Sequence, residues 1–440
     1  MTTALLSAAP THRTAPSAPG RLLPQDAREP RSAGLEAHLA RQGALPDFGR
    51  RPERLIDQVE ASGLLGRGGA AFPAAVKLRS VAAAPRPVVV ANGTEGEPAS
   101  TKDRVLLAHN PHLVIDGTLA AAAMIGAREA VIAISRGAGA AGARLDAALA
   151  ERGSEARLIR VERVPERFVA GEERALVHWL NGGPAKPTFG ARPFERGVRG
   201  RPTLVQNVET LANIALIARH GPDWFREAGT EDEPGTVLAT LLGAVAHPGV
   251  VETAPGTLLG GIVARAGGPV GRPSALLLGG YFGAWLPAGA LERPLTTAAL
   301  GSLGARVLAV LPEGACGLTE TARVVRWLAG QGAGQCGPCR FGLPAMAEAL
   351  ETLAYGPRQL TLRPNVNWPS EAAPALRRLE HLGGAVAGRG ACAHPDGVVR
   401  LVQSALEVFA GEVSAHLDGR CSADAGAPIL PIARNDDAWT

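Results

Sequence analysis

The chain has 440 residues and a formal net charge of +4 at pH 7, and 46% of its residues are hydrophobic and 20% charged. This composition excludes a disordered chain and predicts a globular protein of two to four domains. The basic residues are scattered and only 4% of the chain is aromatic, so we expect no nucleic-acid partner. The sequence has no unbroken apolar stretch of membrane-spanning length and no signal peptide, so we expect a cytoplasmic protein without membrane insertion.

The N-terminal part predicts a tail, two helices and a glycine-rich loop. Residues 1–33 are rich in Ala, Pro, Ser and Thr without periodicity, which predicts a mobile tail, and residues 35–61 form amphipathic helical segments. The segment GRGGAAFPAAVK (66–77) follows, and its glycines would let backbone N–H groups approach a phosphate. Taken alone, the glycines are better explained by a tight turn. Lys77 favours the phosphate, because only three of the 45 basic residues are lysines.

Residues 87–161 alternate between strands and helices. A β-branched run at 87–91 predicts a buried strand, which ends in the acidic turn NGTEGEP (92–98). The next predicted elements are a helix at 113–125, a strand at 130–135, a helix at 140–152 and a strand at 156–161. This order predicts an α/β layer with a mainly parallel sheet. Ligands bind outside the carboxyl ends of such strands. On this stretch alone, however, a solvated acidic turn explains residues 92–98 better.

Two acidic segments next open predicted helices. GEERAL (171–176) lies in a predicted helix at 168–181, and QNVET (206–210) begins one at 207–220. Acidic residues at a helix N-terminus stabilise the helix dipole, so neither segment by itself requires a ligand. Residues 236–300 contain short apolar runs and many glycines, with one helix at 257–266, which predicts a small, mostly β domain.

The C-terminal part is predicted to be helical and contains all five cysteines. Apolar periods lie at 322–328, 343–353 and 398–409, and CGPC (336–339) lies between the first two. Cys392 and His394 follow about fifty residues later. A C-x-x-C pair with a third cysteine predicts an iron–sulfur or metal site; a Cys₃His zinc site and packed free thiols are the alternatives.

Cys316 and Cys421 have no partner at ligand spacing along the chain. We therefore predict that both are ordinary cysteines.

Taken in order, these motifs resemble one family: the NADH-binding, FMN-containing subunit of respiratory complex I (the 51 kDa or F subunit) with its hydrogenase and formate-dehydrogenase relatives. The resemblance covers roughly residues 35–417. The family patterns GRGGAGFPxxxK, NxDExEPxxxKDR, GEETAL and GKPTxVNNVETL resemble the segments at 66–77, 92–104, 171–176 and 200–211. Four matches in the same order, with the cysteine motif as a fifth, make chance unlikely to explain the resemblance.

The resemblance implies an α/β fold class with a Rossmann-like FMN domain (34–232), a small β-grasp domain of the soluble-ligand-binding kind (233–310) and a C-terminal helical iron–sulfur bundle (311–420). Tails would occupy 1–33 and 421–440. The implied activity is a diaphorase-type NADH dehydrogenase, which passes electrons from NADH through FMN to an iron–sulfur protein or ferredoxin-like acceptor. The alternative is a cofactor-poor docking or scaffold subunit. The implied location is the cytoplasm, including the periphery of a membrane complex.

The resemblance also implies ligand contacts. Phe72 and Phe194 would stack on the NADH adenine, and Glu97 and Glu173 would hold its ribose or amide groups, while Lys77 would meet the FMN phosphate. Hydride transfer needs positioning and no acid or base, so no catalytic proton donor is assigned. The residues implied to contact FMN are Gly66, Gly68, Lys77, Asn92, Glu95, Gly171, Glu172, Gln206, Asn207 and Thr210.

The cysteine motif departs from the family pattern SCGxCxPCR, because GAGQCGPCR (332–340) has Ala333 at the place of the first cysteine. Cys336, Cys339 and Cys392 remain as implied ligands. Three thiolates predict a [3Fe–4S] cluster or a labile [4Fe–4S] cluster whose fourth iron takes water, His394, Gln335 or a partner's residue.

Overall fold

The computed structural model describes residues 20–23, 34–49, 52–355, 368–421, 423, 428–433 and 438–440. Within these residues an α/β layer is followed by a mixed sheet and then by a helical bundle. The elements of the first part are α1 (Leu35–Gln42), α2 (Arg54–Ser62), α3 (Ala74–Ala82), β1 (Val88–Gly93), α4 (Lys102–His109), α5 (Pro111–Ile125), β2 (Ala130–Ser135), α6 (Gly139–Arg152), β3 (Ile159–Val164), α7 (Glu173–Leu180), α8 (Pro193–Arg196), β4 (Thr203–Asn207) and α9 (Val208–Arg226).

The first sheet is wholly parallel, with strand order β3-β2-β1-β4. Side chains alternate between its two faces: Val89 and Ala91 pack with α5 and α9, whereas Val88 and Val90 pack with α7. Strands that are covered on both faces contain nearly continuous runs of apolar, often β-branched residues. For this reason β1 and β2 were predictable from the sequence. The order of strands brings the carboxyl ends of β1 and β4 side by side.

Two edge strands were harder to predict. The sequence placed a strand at 156–161, but β3 lies at 159–164, because residues 153–156 form a 3₁₀ turn and β3 is only partly buried. The sequence placed no strand before the helix at 207, whereas β4 runs from 203 to 207. Both strands lie at the edges of the sheet, where a strand can be short or can mix polar and apolar residues. Such a strand leaves little apolar pattern in the sequence.

The second part is a five-stranded mixed sheet with order β6-β5-β9-β7-β8. Its central pair, β5 and β9, is parallel and the other neighbours are antiparallel, and one helix, α10, packs on one face, which is the β-grasp arrangement. Its elements are β5 (Val237–Gly243), β6 (Gly249–Thr253), α10 (Leu259–Arg265), β7 (Pro273–Leu278), β8 (Ala284–Pro287), α11 (Thr297–Leu300) and β9 (Val307–Pro312). Along β9, Leu308 and Val310 face α10 while Ala309 and Leu311 face the helical bundle.

The bundle consists of five helices, α12 (Gly317–Gln331), α13 (Leu343–Ala354), α14 (Trp368–Val386), α15 (His394–Val408) and α16 (Ala410–Leu417), within the described residues. The sequence predicted α12, α13 and α15 but not α14, whose apolar period is interrupted by Pro374 and a glycine pair. Among the helices of the described part of the chain, none is both long and apolar enough to cross a membrane.

Part of the predicted mobile tail is ordered. The backbone N–H groups of Arg21, Leu22 and Leu23 donate to the Glu252 carboxylate at 2.9–3.1 Å, and both leucines are buried. The Arg21 guanidinium lies 3.9 Å above the Trp224 ring. The prediction of a mobile tail is therefore wrong for residues 21–23, because two buried leucines, an arginine and the hydrogen bonds to Glu252 anchor this segment. Residues 1–19 and 24–33 lie outside the described residues.

Buried polar contacts join the first two domains. The fully buried Glu209 of α9 accepts a hydrogen bond from Leu238 N of β5 at 2.9 Å, and its other oxygen lies 2.9 Å from Lys102 Nζ. Arg67 donates to the Pro234 carbonyl oxygen at 2.8 Å. Burial and the neighbouring Arg306 lower the pKa of Arg67 to about 9. These contacts hold the glycine-rich loop against the second domain.

Candidate functional site

The carboxyl ends of β1 and β4 form a crevice with the glycine-rich loop and the first turn of α7. Asn92 lies opposite Asn207 in the strand register, and Asn207 Nδ2 donates to the Asn92 carbonyl oxygen at 3.3 Å. Asn92 Nδ2 donates to the Gly171 carbonyl oxygen at 2.8 Å, while Asn207 Oδ1 caps α9 through Glu209 N at 3.0 Å. The two amides thus fix three predicted ligand segments relative to one another.

The glycine-rich loop packs tightly on this crevice. Gly69 has φ +106°, and a Cβ on Gly68 would lie 3.2 Å from Asn207 Cβ, so these two positions of the loop favour glycine. Arg67 N donates to Thr210 Oγ1 at 2.8 Å. Thr210 is fully buried, so its hydroxyl positions the loop. Gly66 N closes the loop on the Phe72 carbonyl oxygen at 2.8 Å.

Lys77 extends from α3 to the middle of β4. Its Nζ lies 3.0 Å from Glu173 Oε2 and 3.2 Å from the Val205 carbonyl oxygen. Both side chains of the pair are about one-third exposed. An ammonium group has three donors, and these contacts engage two of them, which leaves one for an anion in the crevice.

The acidic turn after β1 is structured, so the solvated-turn alternative does not hold for Glu95. The Glu95 carboxylate accepts from Ser100 Oγ at 2.7 Å and from the backbone N–H groups of Asp103 and Arg104 at 3.0 Å. Its side chain is 3% exposed, and its backbone has φ +37°. Glu95 therefore caps α4 and fixes the shape of the turn.

Glu97 connects this turn to the β-grasp domain. Its carboxylate accepts from Ala99 N at 3.1 Å and from Tyr281 N at 2.7 Å. Burial raises its pKa to about 7, although the two N–H donors act in the opposite direction. A carboxyl group that titrates near neutral pH therefore lies beside the crevice at a domain junction.

The first turn of α7 carries the next two predicted carboxylates. Glu172 caps the helix by accepting from Arg174 N and Ala175 N at 3.0 Å, as the helix-dipole argument predicted. A polar cavity of about 110 Å³ lies between this turn and α8, lined by Glu172, Glu173, Arg174, Arg192 and Pro193.

The two predicted stacking residues are both unusually exposed aromatics. Phe72 is 47% and Phe194 is 41% exposed. Exposed rings at the edge of a crevice provide flat apolar surface for a planar ligand.

One buried amide without a hydrogen-bond partner bears on whether the crevice fits a polar cofactor. Gln206 is 4% exposed, and its Nε2 has no hydrogen-bond partner among the described protein atoms. A buried donor of this kind costs stability unless a ligand or ordered water satisfies it. The orphaned amide, the remaining Lys77 donor and the closely packed glycines fit a flavin mononucleotide, as the sequence predicted.

Cys336, Cys339 and Cys392, here called the loop cysteines, lie together at the junction of α12, α13 and α15. Cys336 and Cys339 both act on the pKa of the Cys392 thiol, which burial raises, so the three sulfurs are electrostatic neighbours. Backbone N–H groups of Ala333 and Gly334 point to the Cys339 sulfur, whose pKa burial also raises. Backbone N–H groups aimed at sulfur stabilise thiolate ligands, so this set fits an iron–sulfur cluster.

The fourth ligand position contains no cysteine. Ala333 is 9% exposed and faces Cys339 through its backbone. His394, the predicted alternative ligand, is buried, and its Nε2 lies 2.9 Å from the Leu328 carbonyl oxygen, while its Nδ1 has no partner among the described atoms. The Leu328 carbonyl therefore occupies one ring nitrogen, and only Nδ1 could serve as a ligand atom.

The crevice and the loop cysteines are in direct contact. Arg174 of α7 donates to the Ala391 carbonyl oxygen at 2.8 Å, one residue before Cys392. Glu172, which caps α7, also acts on the pKa of Cys392. The Phe168 ring packs at 5.7 Å from the His394 ring and at 5.6 Å from the Trp327 ring. A redox group in the crevice and one at the loop cysteines would be separated by only a few side chains.

Sequence reasoning missed one group of residues. Cys316, His416 and Cys421, here called the Cys316 group, bring their ligand atoms within 4.8 Å of one another. Cys316 and Cys421 are more than a hundred residues apart in the sequence, but the fold brings them together. The prediction that they lack a partner is therefore wrong. No local spacing could have revealed this group, because the fold alone brings its members together.

A crevice at parallel strand ends, joined directly to a cysteine loop, defines a class of protein with a nucleotide-type redox cofactor next to an iron–sulfur site. Residues 59–216 match the family described as Nuo51 FMN-binding domain, and residues 319–416 match the NADH-ubiquinone oxidoreductase-F iron-sulfur binding region. The chain belongs to the family of F subunits of NADH-quinone oxidoreductase.

Individual relatives agree with this assignment. The NADH-quinone oxidoreductase F 2 subunit of Rhizobium meliloti (strain 1021) is 31% identical over 391 residues, covering 84% of this chain and 90% of the relative. The corresponding F subunit of Salmonella typhimurium (strain LT2) is 31% identical over 403 residues, covering 83% and 85%.

A solved structure of an NAD+-reducing [NiFe]-hydrogenase in the H2-reduced state contains a similar chain, with a TM-score of 0.72 and 31% identity. The match covers 83% of this chain and 63% of that chain, so this protein spans less than two thirds of the hydrogenase chain's length.

These matches confirm the predicted family, fold class and oxidoreductase activity, with FMN, NAD and an iron–sulfur cluster as cofactors. They favour the electron-transfer function over the scaffold alternative.

Proposed function

We propose that this chain oxidises NADH in the crevice and delivers the electrons through the loop cysteines to an iron–sulfur acceptor in a partner protein. FMN, when bound, supplies the chemistry that accepts a hydride and releases its electrons singly. The observation that carries the proposal is the direct contact between the two sites, in which Arg174 links α7 at the crevice to the carbonyl that precedes Cys392. A scaffold would not need its two candidate redox sites in contact.

The residues of the crevice divide into ligand contacts and positioning residues. Lys77 would hold the phosphate with its remaining donor, and Gln206 Nε2 would donate to a polar flavin atom. Asn92 and Asn207 keep the strand ends and the glycine-rich loop in register. Glu95 and Thr210 act through others, because their polar atoms are engaged in fixing the acidic turn and the loop.

The dinucleotide would bind between Phe72 and Phe194, beside the first turn of α7. Glu173, and Glu97 in its ionised form, add negative charge there, which disfavours the 2′-phosphate of NADPH and favours the free ribose hydroxyls of NADH. Comparison of kcat/KM for the two dinucleotides tests this preference. Comparable values would contradict the charge argument.

At the loop cysteines, three thiolates would hold a [3Fe–4S] cluster or a [4Fe–4S] cluster with one non-cysteine ligand. His394 Nδ1 is a candidate for that ligand because it is buried without a partner among the described atoms. The acceptor would be an iron–sulfur or ferredoxin-like protein, and the chain would act as a peripheral subunit of a larger complex in the cytoplasm. The relatives named above carry this part of the proposal.

An absorbance spectrum of the anaerobically purified full-length chain, recorded with and without NADH, tests the function. We expect flavin bands together with a broad iron–sulfur shoulder, and bleaching of both on addition of NADH. Heat release and chromatography should recover FMN. Recovery of FAD, or the absence of both flavin and iron, would contradict the proposal and favour the scaffold function.

A further inference from the structure

The Cys316 group lies at the far end of α12 from the loop cysteines. Cys316 immediately precedes α12, His416 lies in the last turn of α16, and Cys421 follows that helix. Cys316 and His416 are buried, whereas Cys421 is exposed. At 1.5 Å per residue, the 15 residues of α12 separate the two cysteine sets by roughly 20 Å.

The spacing of the three ligand atoms matches that around a single ion. Cys316 Sγ lies 3.6 Å from His416 Nε2, and all three ligand atoms lie within 4.8 Å of one another. Zinc bonds of about 2.3 Å to sulfur and about 2.05 Å to nitrogen, at a tetrahedral angle, place those two atoms about 3.6 Å apart. In a multi-iron cluster each thiolate binds a different iron, which requires a wider spread of ligands.

The histidine is held in the form that a metal ligand requires. His416 Nδ1 lies 3.0 Å from the Leu353 carbonyl oxygen, which can only accept a hydrogen bond, so Nδ1 carries the proton. The lone pair of Nε2 then points toward Cys316. A backbone carbonyl that orients the second ring nitrogen is the usual outer-shell partner of a metal-bound histidine.

The environment of Cys316 also suits a metal-bound thiolate. Its sulfur accepts from Thr319 N at 3.5 Å at the N-terminus of α12, where the helix dipole favours negative charge. A divalent cation would compensate the charges of the Cys316 thiolate and of the nearby Glu412 carboxylate.

We propose that Cys316, His416 and Cys421 bind one zinc ion, with Glu412 or water in the fourth position, and that this ion fastens the segment after α16 to the start of α12. A mixed set of two thiolates and one imidazole is the donor set that tetrahedral zinc prefers. The exposed Cys421 provides the path of entry for the ion. The site is separate from the FMN and iron–sulfur functions and does not depend on them.

Metal analysis of the full-length protein tests the proposal. We expect one zinc per chain in the wild-type protein, retained in Cys339→Ser and lost in Cys421→Ser. Cys421→Ser is the primary variant because an exposed serine does not disturb the core. His416→Gln provides a second variant, which should also lower the zinc content.

Cobalt provides a spectroscopic readout on the metal-free full-length chain. Added Co²⁺ should give the intense visible bands of tetrahedral coordination with a thiolate charge-transfer band, and Cys421→Ser should abolish both. Chelation of zinc should lower the melting temperature of the wild-type protein but not that of Cys421→Ser.

Several results would overturn the proposal. These are a wild-type chain that binds neither zinc nor cobalt, zinc that is lost in Cys339→Ser but kept in Cys421→Ser, iron in place of zinc at the Cys421-dependent site, and a Cys316–Cys421 disulfide in the purified protein.

Discussion

The two cysteine sets at opposite ends of α12 differ in how they are built. The loop cysteines come mainly from one short segment, and backbone N–H groups surround Cys339 where the loop turns into α13. The Cys316 group comes from two distant segments and converges on one point, with a carbonyl that orients the histidine. A set whose thiolates spread around a loop suits a cluster of several irons, whereas a convergent set suits one ion.

The surroundings of the two sets differ as well. The loop cysteines face the α/β domain through Arg174 and Phe168, so they lie next to the crevice. The Cys316 group faces no other candidate site among the described residues, and its contacts join helices of the bundle. The electron-transfer route proposed above therefore includes the loop cysteines and not the Cys316 group.

The largest expected effect is a separation of the two sets by mutation. Cys339→Ser should reduce iron and sulfide to background and abolish NADH-dependent reduction of an iron–sulfur acceptor, because only two loop thiolates remain. FMN and zinc should stay bound. Cys421→Ser should keep its iron. If either substitution removed both metals from a chain that is folded by circular dichroism, the two sets would not be independent.

Replacement of Lys77 tests the proposed phosphate contact in the crevice, which uses no residue of either cysteine set. Lys77→Ala should weaken FMN binding by about 10- to 150-fold, since a charge-assisted hydrogen bond contributes about 1.5–3 kcal/mol. Fluorescence titration of the flavin-free protein measures this change. The matched control is Lys186→Ala, whose ammonium group lies 4.9 Å from the centre of the Trp439 ring. Equal losses in the two variants would rule out a specific role of Lys77.

The pH dependence of stability tests the junction that Glu97 forms between the acidic turn and the β-grasp domain. The pKa of Glu97 is about 7 in the folded state and 4.5 in the reference state, so between these values the folded protein holds a proton that the unfolded chain has released. The resulting stabilisation is present below pH 4.5 and is lost as the pH rises through about 7.

Glu97→Gln should therefore remove roughly 1–2 kcal/mol of the fall in stability between pH 5 and pH 8, a value reduced for partial exposure. Urea midpoints at several pH values measure it. Glu313→Gln, which alters an exposed pair with Arg272, is the control. The metal content of both cysteine sets should stay unchanged. A wild-type pH profile that Glu97→Gln does not flatten would contradict the assigned pKa.

The smallest expected change is the gain of one ligand at the loop cysteines. Ala333→Cys should give a four-iron cluster that resists oxygen, and if the wild-type cluster is [3Fe–4S] the substitution adds about one iron per chain. Iron analysis with low-temperature EPR of anaerobic protein detects the change. Gly330→Cys, which places a thiol on an exposed position of α12, should leave the cluster as it is. One zinc and no iron at the loop cysteines would reject the cluster.

The sequence predicted the parts of the fold that rest on local pattern. The β2 strand at 130–135 and the α5 helix were predictable because fully buried strands and long helices leave continuous apolar patterns. The β4 strand and α14 were missed because only two apolar residues mark the former and a proline interrupts the latter. The anchoring of residues 21–23 was missed because the carboxylate that accepts their hydrogen bonds belongs to Glu252, far along the chain.

For the candidate site too, the sequence predicted only the parts that local motifs mark. C-x-x-C spacing identified Cys336 and Cys339, and family patterns located the crevice. The structure added what single residues do there: Glu95 and Thr210 position backbone, and Lys77 is paired with Glu173. Pairings of this kind depend on which segments the topology brings together, as does the Cys316 group.

The last residues of the chain complete the packing of the first domain. Leu430 is buried in the bundle, and Trp439 reaches the α/β domain, where its carbonyl oxygen accepts from Ala185 N at 2.9 Å and its ring lies 4.3 Å from the Arg167 guanidinium. These contacts join residues that lie more than 250 positions apart in the sequence. The chain segment that they close is therefore long, and we expect them to form late in folding.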